Sequence, residues 1–186
     1  MKKTALALLL ALVAGPLAAA APKPAPKELI EASGQGNTAE LARLLKAGAD
    51  VNGTLASGDA GSDGMSALTI AATLGQVESV KTLLAAKAKI NLTDGMGDTA
   101  LHKACYPPSC KDPAANALAR IQIAKLLLAA KTKVNLKDKQ GWTPLMLASA
   151  YGGTELVKLL LDAGADASVK LSSGKTAFQL AQQGGH

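Results

Sequence analysis

A short phrase that begins with glycine returns four times along this chain and constrains its fold more than any other feature. Each copy runs glycine, a variable residue, Ser or Thr, Ala or Pro, then Leu or Phe. The copies begin at Gly64, Gly97, Gly141 and Gly174, so their glycines are 33, 44 and 33 residues apart. A nearly fixed period in this range is typical of a protein built from stacked repeats.

The clearest copy encodes a turn followed by two helices. Gly141 suits a turn that needs positive φ, Thr143 is a good helix N-cap, and Pro144 fits the first helical position, where its missing N–H costs nothing. Gly152 ends this first helix, and Gly164 ends a second one. The second helix has its apolar stripe at Leu156, Val157, Leu160 and Leu161.

These features resemble the ankyrin repeat, a hairpin-like loop followed by two antiparallel helices. The resemblance covers nearly all of the chain after its N-terminal segment. It implies an all-α solenoid of about five helix–turn–helix repeats, because neither helix can bury its apolar face alone. The first and last copies are degenerate, and the last is expected to stop after its first helix. The expected repeats are 27–60, 61–93, 94–137, 138–170 and 171–186.

The first 20 residues have the order of a secretory signal peptide, with Lys2 and Lys3, an apolar stretch, and then small residues. We expect cleavage after Ala20 and a periplasmic or secreted protein. No stable membrane anchor is expected, because the apolar stretch is shorter than the ~20 residues that span a bilayer. A proline-rich leader, 21–26, would precede the repeats.

Charge and composition limit the kind of partner. The net charge is +6 for the whole chain and +4 without Lys2 and Lys3. This mild excess supports solubility without demanding an anionic partner. Export disfavours a nucleic-acid role, and we expect a monomer whose partner is a protein.

The one spacing of 44 places about eleven extra residues in the third repeat, between Cys105 and Ile123. Loops that break a period often lie on the binding face. Cys105 and Cys110 flank two prolines, and in an oxidising compartment such a pair indicates a disulfide that staples the inserted loop. The alternatives are reduced thiols, metal ligation with additional ligands, and a redox pair, although the spacing is not Cys-x-x-Cys.

A smaller insertion lies between Asn52 and Ser66, which are fourteen positions apart instead of the usual eight. Its glycine, serine and aspartate residues predict a mobile finger. The segment lacks the alternating acidic ligands and closing glutamate of an EF-type calcium loop.

Two lysines depart from the repeat pattern. Lys87 and Lys131 stand where Gly48 and Gly164 end the second helices of other repeats. The position calls for a left-handed backbone, in which a side chain costs ~1 kcal/mol. We expect these two repeats to be weaker, or to end differently.

His102 matches the histidine of the family phrase Thr-Pro-Leu-His, which implies a structural hydrogen bond near the preceding turn. The sequence has no glycine-rich phosphate loop, no Gly-x-Ser-x-Gly elbow and no His-Glu-x-x-His motif. We therefore predict no catalytic residue, no metal site, no cofactor and no enzymatic activity.

The concave groove of ankyrin-like folds is lined by loop tips and by the ends of the first helices. Carried onto this sequence, the resemblance implies partner contacts from Met65, Leu74, Met96, Asp98, Tyr106, Lys139, Trp142, Tyr151 and Lys175. Aromatic residues and Met are enriched at interface centres. In the alternative interpretation, Trp142 and Tyr151 simply pack on neighbouring loops.

A row of lysines occupies equivalent positions of two consecutive repeats. An acidic partner, an anionic lipid surface and simple solvation are the three interpretations of such a row. It comprises Lys87, Lys89, Lys131, Lys133, Lys137 and Lys139.

The favoured function is a non-catalytic interaction module, exported to the cell envelope, that holds a protein through the groove and the inserted loop. Repeat solenoids offer an extended concave surface for this purpose. The same fold would also serve an immunity-like inhibitor of an envelope-acting toxin, or a chaperone-like structural component of an envelope assembly.

Overall fold

The computed structural model describes residues 22–56, 63–107 and 113–186, and of 113–115 only the backbone. The predicted signal peptide therefore lies outside the described residues. So do residues 57–62 of the finger and the centre of the third-repeat insertion, at 108–112, which includes Cys110.

Nine helices and one isolated bridge form the secondary structure of these described segments. They follow one another as helix pairs, with α9 last, and the predicted all-α solenoid is confirmed. The helices are α1 Pro26–Gly34, α2 Thr38–Lys46, α3 Ala67–Thr73, α4 Val77–Ala85, α5 Ala100–Cys105, α6 Pro113–Ala129, α7 Pro144–Ala150, α8 Thr154–Asp162 and α9 Ala177–Gly184.

The glycine phrase starts helices α3, α5, α7 and α9 as the sequence predicts. Thr143 has an extended backbone, and its side chain accepts a hydrogen bond from the Met146 N–H at 3.3 Å. Pro144 follows at the first helical position. Gly141 and Gly152 have φ of 88° and 70°, values at which other residues would be strained. Pro26, assigned to the leader by sequence, instead begins α1.

The helices stack in two layers. The inner layer runs α1, α3, α5, α7 and α9, and the outer layer runs α2, α4, α6 and α8, each helix in contact with the next in its layer. Small residues at one position of the inner helices let neighbours approach closely. These are Ala32, Ala71, Ala104 and Ala148, all buried. The core is therefore one continuous row between the layers.

Lys87 and Lys131 both have φ of 62°, the left-handed conformation that Gly48 and Gly164 adopt at φ of 85° and 86°. The expectation that these repeats end differently is wrong. The same closing hydrogen bond forms at lysine and at glycine: the Ala88 N–H donates to the Leu83 carbonyl at 3.0 Å, and the Ala49 N–H donates to the Leu44 carbonyl at 3.1 Å. The expected loss of stability stays a prediction.

The third-repeat insertion lies where the spacing indicates, but much of it is helix rather than loop. Helix α6 has 17 residues, whereas α2, α4 and α8 have 9 each. The extra turns come before Ile121, in the sequence Pro-Ala-Ala-Asn-Ala-Leu-Ala-Arg. Alanine, leucine and arginine are the strongest helix formers, so this segment extends the outer helix.

The loop hairpins share one pair of backbone hydrogen bonds. In the third repeat, the Asp94 N–H donates to the Asp98 carbonyl at 3.0 Å, and the Gly97 N–H donates to the Asp94 carbonyl at 2.9 Å. In the second repeat, the Leu55 N–H donates to the Met65 carbonyl at 3.0 Å, and the Gly64 N–H donates to Leu55 at 2.8 Å. Leu55 thus closes the hairpin across the finger.

An asparagine ladder connects the turns that follow the outer helices. Asn52 Oδ1 accepts from the Lys89 N–H at 2.7 Å, and Asn91 Oδ1 accepts from the Lys133 N–H at 3.0 Å. Asn135 Oδ1 accepts from Asp166 N–H at 2.9 Å. Each asparagine therefore fixes the register of the next repeat.

Candidate functional site

A depression of about 360 Å³ lies on the face formed by the inner helix ends and the third hairpin. We call it the tyrosine depression. It is lined by Thr73, Met96, Asp98, Lys103, Tyr106, Pro107 and Tyr151. These residues come from the second, third and fourth repeats, so only stacking brings them together.

Two tyrosines form the aromatic part of the tyrosine depression. The ring centroids of Tyr106 and Tyr151 are 6.1 Å apart, with a tilt of 45° between the ring planes. This distance and tilt are typical of an attractive aromatic pair. Tyr151 is 49% exposed and Tyr106 is half-buried, so the pair presents ring surface to a ligand.

A buried ionic cluster supports the tyrosine pair from below. Lys103 Nζ lies 2.7 Å from Asp94 Oδ2 and 2.8 Å from Asp98 Oδ2. The same ammonium group is 5.6 Å from the centroid of the Tyr106 ring, within the range of a cation–π interaction. One positive charge faces two negative ones, so the cluster has a net negative charge.

The ionisation of the cluster follows from burial and pairing. Burial opposes the charge on Lys103, but the bonds to Asp94 and Asp98 outweigh it and raise the lysine pKa. Burial and then the nearby Asp98 and Asp138 carboxylates raise the pKa of Tyr106. Tyr106 therefore keeps its proton at neutral pH and presents a neutral phenol.

The structure distributes the nine predicted contact residues unevenly. Met96, Asp98, Tyr106 and Tyr151 share the tyrosine depression. Met65 and Asp98 are buried, and Trp142 is half-buried against the core. Leu74, Lys139 and Lys175 are exposed outside the tyrosine depression, and Lys175 Nζ donates to Gln183 Oε1 at 2.6 Å. Whether these nine residues contact a partner stays a prediction.

Sequence reasoning missed three lining residues, Thr73, Lys103 and Pro107. The repeat register contained the signal for two of them. Thr73 occupies in the second repeat the position that Tyr106 occupies in the third. Lys103 precedes Tyr106 by three residues, so these two side chains lie on the same face of their helix. Pro107 follows directly, where the insertion begins.

His102 joins the third repeat to the fourth. Its Nδ1 accepts from the Thr99 N–H at 3.2 Å, which leaves the proton on Nε2, 3.2 Å from the Trp142 carbonyl oxygen. Burial lowers the pKa of His102, and the Asp98 carboxylate only partly opposes this shift. The Thr99 side chain in turn accepts a hydrogen bond from the His102 backbone N–H, so the two residues form a capping box.

Cys105 and Arg120 meet beneath the start of the insertion. Cys105 is a buried thiol, and burial raises its pKa to about 12. Arg120 is 9% exposed, and its Nε donates to the Ala104 carbonyl at 2.9 Å. Because Cys110 lies outside the described residues, the disulfide between Cys105 and Cys110 stays a prediction.

Comparison with known proteins identifies the family. The family model for ankyrin repeats (3 copies) matches residues 29–119 and 113–186, most of the chain. The chain belongs to the ankyrin-repeat family. No curated protein matches it. Membership indicates a protein-interaction module, because ankyrin-repeat proteins are generally non-catalytic modules of this kind.

Two kinds of site were possible in principle within the ankyrin-repeat domain, a metal centre and a membrane-spanning helix. Within 22–56, 63–107 and 113–186, no group of three or more His, Cys, Asp or Glu side chains is arranged to hold a metal ion. Across those same residues, no helix combines the length and the apolar character needed to cross a membrane.

Proposed function

We propose that this ankyrin-repeat protein is exported to the cell envelope and binds one protein partner there, with the tyrosine depression as the anchor point. The Tyr106–Tyr151 pair carries this proposal. It is an exposed aromatic surface assembled from two repeats, which is the kind of feature that dominates interface energies.

The chemistry of the tyrosine depression indicates what the partner presents. A flat or branched apolar side chain would cover the rings of Tyr106 and Tyr151, while Met96 adapts its shape to it. The net negative charge of Asp94, Asp98 and Lys103 favours a cationic group beside that side chain. We therefore propose a partner segment that combines an apolar anchor with a lysine or arginine.

The proposal of export depends on the N-terminal sequence alone, the pattern of charged, apolar and small residues through Ala20. In an oxidising compartment, Cys105 and Cys110 would be bonded and would hold the inserted loop beside Pro107, at the rim of the tyrosine depression. The loop would then add contacts specific to this partner.

The test is affinity capture from a periplasmic extract, followed by quantitative mass spectrometry. We expect one stoichiometric partner for the native chain, and loss of most of it for the double variant Tyr106→Ala/Tyr151→Ala. Phe178→Ala is the matched control, because Phe178 is 69% exposed and lies outside the tyrosine depression.

Three results would count against this proposal. Unchanged capture by the double tyrosine variant would exclude the tyrosine depression as the anchor. Many unrelated clients would favour the chaperone-like role. Retention of the precursor in the cytoplasm, detected by fractionation, would contradict export. Trp142→Ala should weaken capture with the helical circular dichroism intact, whereas loss of the fold would favour a packing role for Trp142.

A further inference from the structure

We propose that the protein has a second binding surface, a lysine edge that adsorbs reversibly to anionic phospholipid headgroups. The lysine edge comprises Lys87, Lys89, Lys131 and Lys133, two from the turn of each of two consecutive repeats. None of them lines the tyrosine depression, so this proposal is independent of the partner site.

Backbone strain is the first observation in its support. Lys87 and Lys131 have φ of 62°, while the equivalent residues in the flanking repeats are Gly48 and Gly164, which adopt this conformation without strain. Both central repeats therefore place a lysine where glycine would be more stable. Strain of this kind is a reason to look for a function of the side chain.

The second observation is that the lysine edge is held in register. The Lys89 and Lys133 N–H groups donate to Asn52 and Asn91, each in the preceding repeat. Asn91 Oδ1 also accepts from the Thr132 hydroxyl at 2.9 Å. The four lysines thus project from turns whose spacing the stack fixes.

The charges of the lysine edge are free to meet an external anion. All four side chains belong to exposed residues, and the ion pairs of the described residues use other cations, Lys27, Arg43, Lys81 and Lys103. At the position of Lys89 and Lys133, the flanking repeats have Asp50 and Asp166. Along this row of turns, positive charge is therefore concentrated on the second and third repeats.

The composition of the lysine edge favours a lipid surface over a protein. Protein interfaces have aromatic or Arg anchors in pockets and are depleted of Lys. The lysine edge has only Lys, and its members line neither the tyrosine depression nor the two other best-formed pockets of the described residues. A membrane requires charge but no pocket, and each lysine near an anionic leaflet raises the partition coefficient by about fivefold.

The test uses co-sedimentation of the full chain with sucrose-loaded vesicles of phosphatidylcholine containing roughly one-third phosphatidylglycerol, a charge density sufficient for polybasic adsorption. Binding to pure phosphatidylcholine vesicles measures any contribution of the apolar N-terminal stretch and is subtracted. We expect charge-dependent binding that weakens as ionic strength rises.

The decisive variant is Lys87→Gly/Lys131→Gly, which copies Gly48 and Gly164. It should lower the partition coefficient by about 25-fold, the product of two lysine contributions, while the fold becomes no less stable, so unfolding cannot explain the loss. The control Lys23→Gln/Lys158→Gln removes the same charge from exposed residues elsewhere and should bind as the native chain does.

Several results would overturn the proposal. One is that the native chain shows no charge-dependent binding, and another is that the glycine variant binds the vesicles as well as the native chain. The third is an equal loss of binding in the control, which would indicate that net charge alone drives adsorption. Soluble polyglutamate supplies the comparison with an acidic polypeptide. If it binds the lysine edge while the vesicles do not, the ligand is an acidic protein segment.

Discussion

Arg120 Nε donates to the carbonyl oxygen of Ala104 at 2.9 Å and replaces a backbone hydrogen bond found in the other repeats. The equivalent carbonyls of Ala71 and Ala148 accept from the N–H groups of Gln76 and Gly153, at 2.9 and 2.8 Å. In the third repeat, the insertion takes the chain away after Cys105. Arg120, on the added turns of α6, donates to this buried carbonyl at the end of α5 instead.

Replacing Arg120 should therefore destabilise the third repeat. Arg120→Met keeps most of the aliphatic length but leaves the buried Ala104 carbonyl without a donor, and should lower the free energy of unfolding by about 1–3 kcal/mol. Urea unfolding would measure this change. Lys125→Met, at an exposed position of the same helix, is the control. An unchanged midpoint for Arg120→Met would show that this hydrogen bond contributes nothing.

His102 should make stability depend on pH. Because burial lowers its pKa in the folded state, the unfolded chain binds a proton first as the pH falls below about 6.5. Stability should then fall by up to about 1.4 kcal/mol per pH unit until the folded-state pKa is reached. His102→Gln, which copies the capping Gln179, should flatten this dependence.

Thermal unfolding between neutral and mildly acidic pH would measure the effect of His102. The control is His186→Gln, which removes an exposed histidine and should leave the slope as it is. The carboxylates that act on the pKa of His102 are those of Asp98 and Asp138, and both remain in every variant. If the stability of the native chain and of the His102→Gln chain changed equally with pH, His102 would not be the source of the pH dependence.

Relieving the backbone strain at Lys131 should stabilise the fold. Lys131→Gly should raise the free energy of unfolding by about 1 kcal/mol, because glycine adopts φ of 62° without a Cβ clash. Lys131→Ala keeps the Cβ and should give no such gain. If the alanine variant gained as much as the glycine variant, side-chain charge rather than backbone strain would be responsible.

The asparagine ladder should couple neighbouring repeats. Asn91→Ala removes the acceptor of the Lys133 N–H and the Thr132 hydroxyl, and should cost about 1 kcal/mol. Hydrogen exchange should show faster exchange at the Lys133 amide. Asn91→Asp keeps the acceptor oxygen and should protect that amide as the native residue does. Equal protection in all three proteins would exclude the coupling.

The parts of the fold that the sequence predicts are those set by local rules. The N-cap at Thr143 and the turn at Gly141 depend on a few adjacent residues, so the glycine phrase predicts both. The repeat period then predicts the solenoid. The left-handed turn at Lys131 is harder to predict, because a lysine disfavours this conformation and only the repeat register indicates it.

The candidate site was predictable only in part, because it depends on contacts across repeats. Tyr106 and Tyr151 are 45 residues apart in sequence, and the resemblance placed both in the groove without showing that their rings meet. The cluster of Lys103 with Asp94 and Asp98 has no sequence motif. No local pattern indicates that Asp98 is buried.

The fold accommodates the insertion of the second repeat differently from that of the third, because Leu55 separates the second-repeat insertion from the helices. Because Leu55 closes the hairpin onto Met65 and Gly64, residues added between them do not alter the spacing of the helices on either side. Insertions between Leu55 and Gly64 can therefore vary in length while these hairpin bonds are kept, whereas any change of length within α6 must be absorbed by packing. For protein engineers, the finger is accordingly the place to graft a new sequence without rebuilding the scaffold.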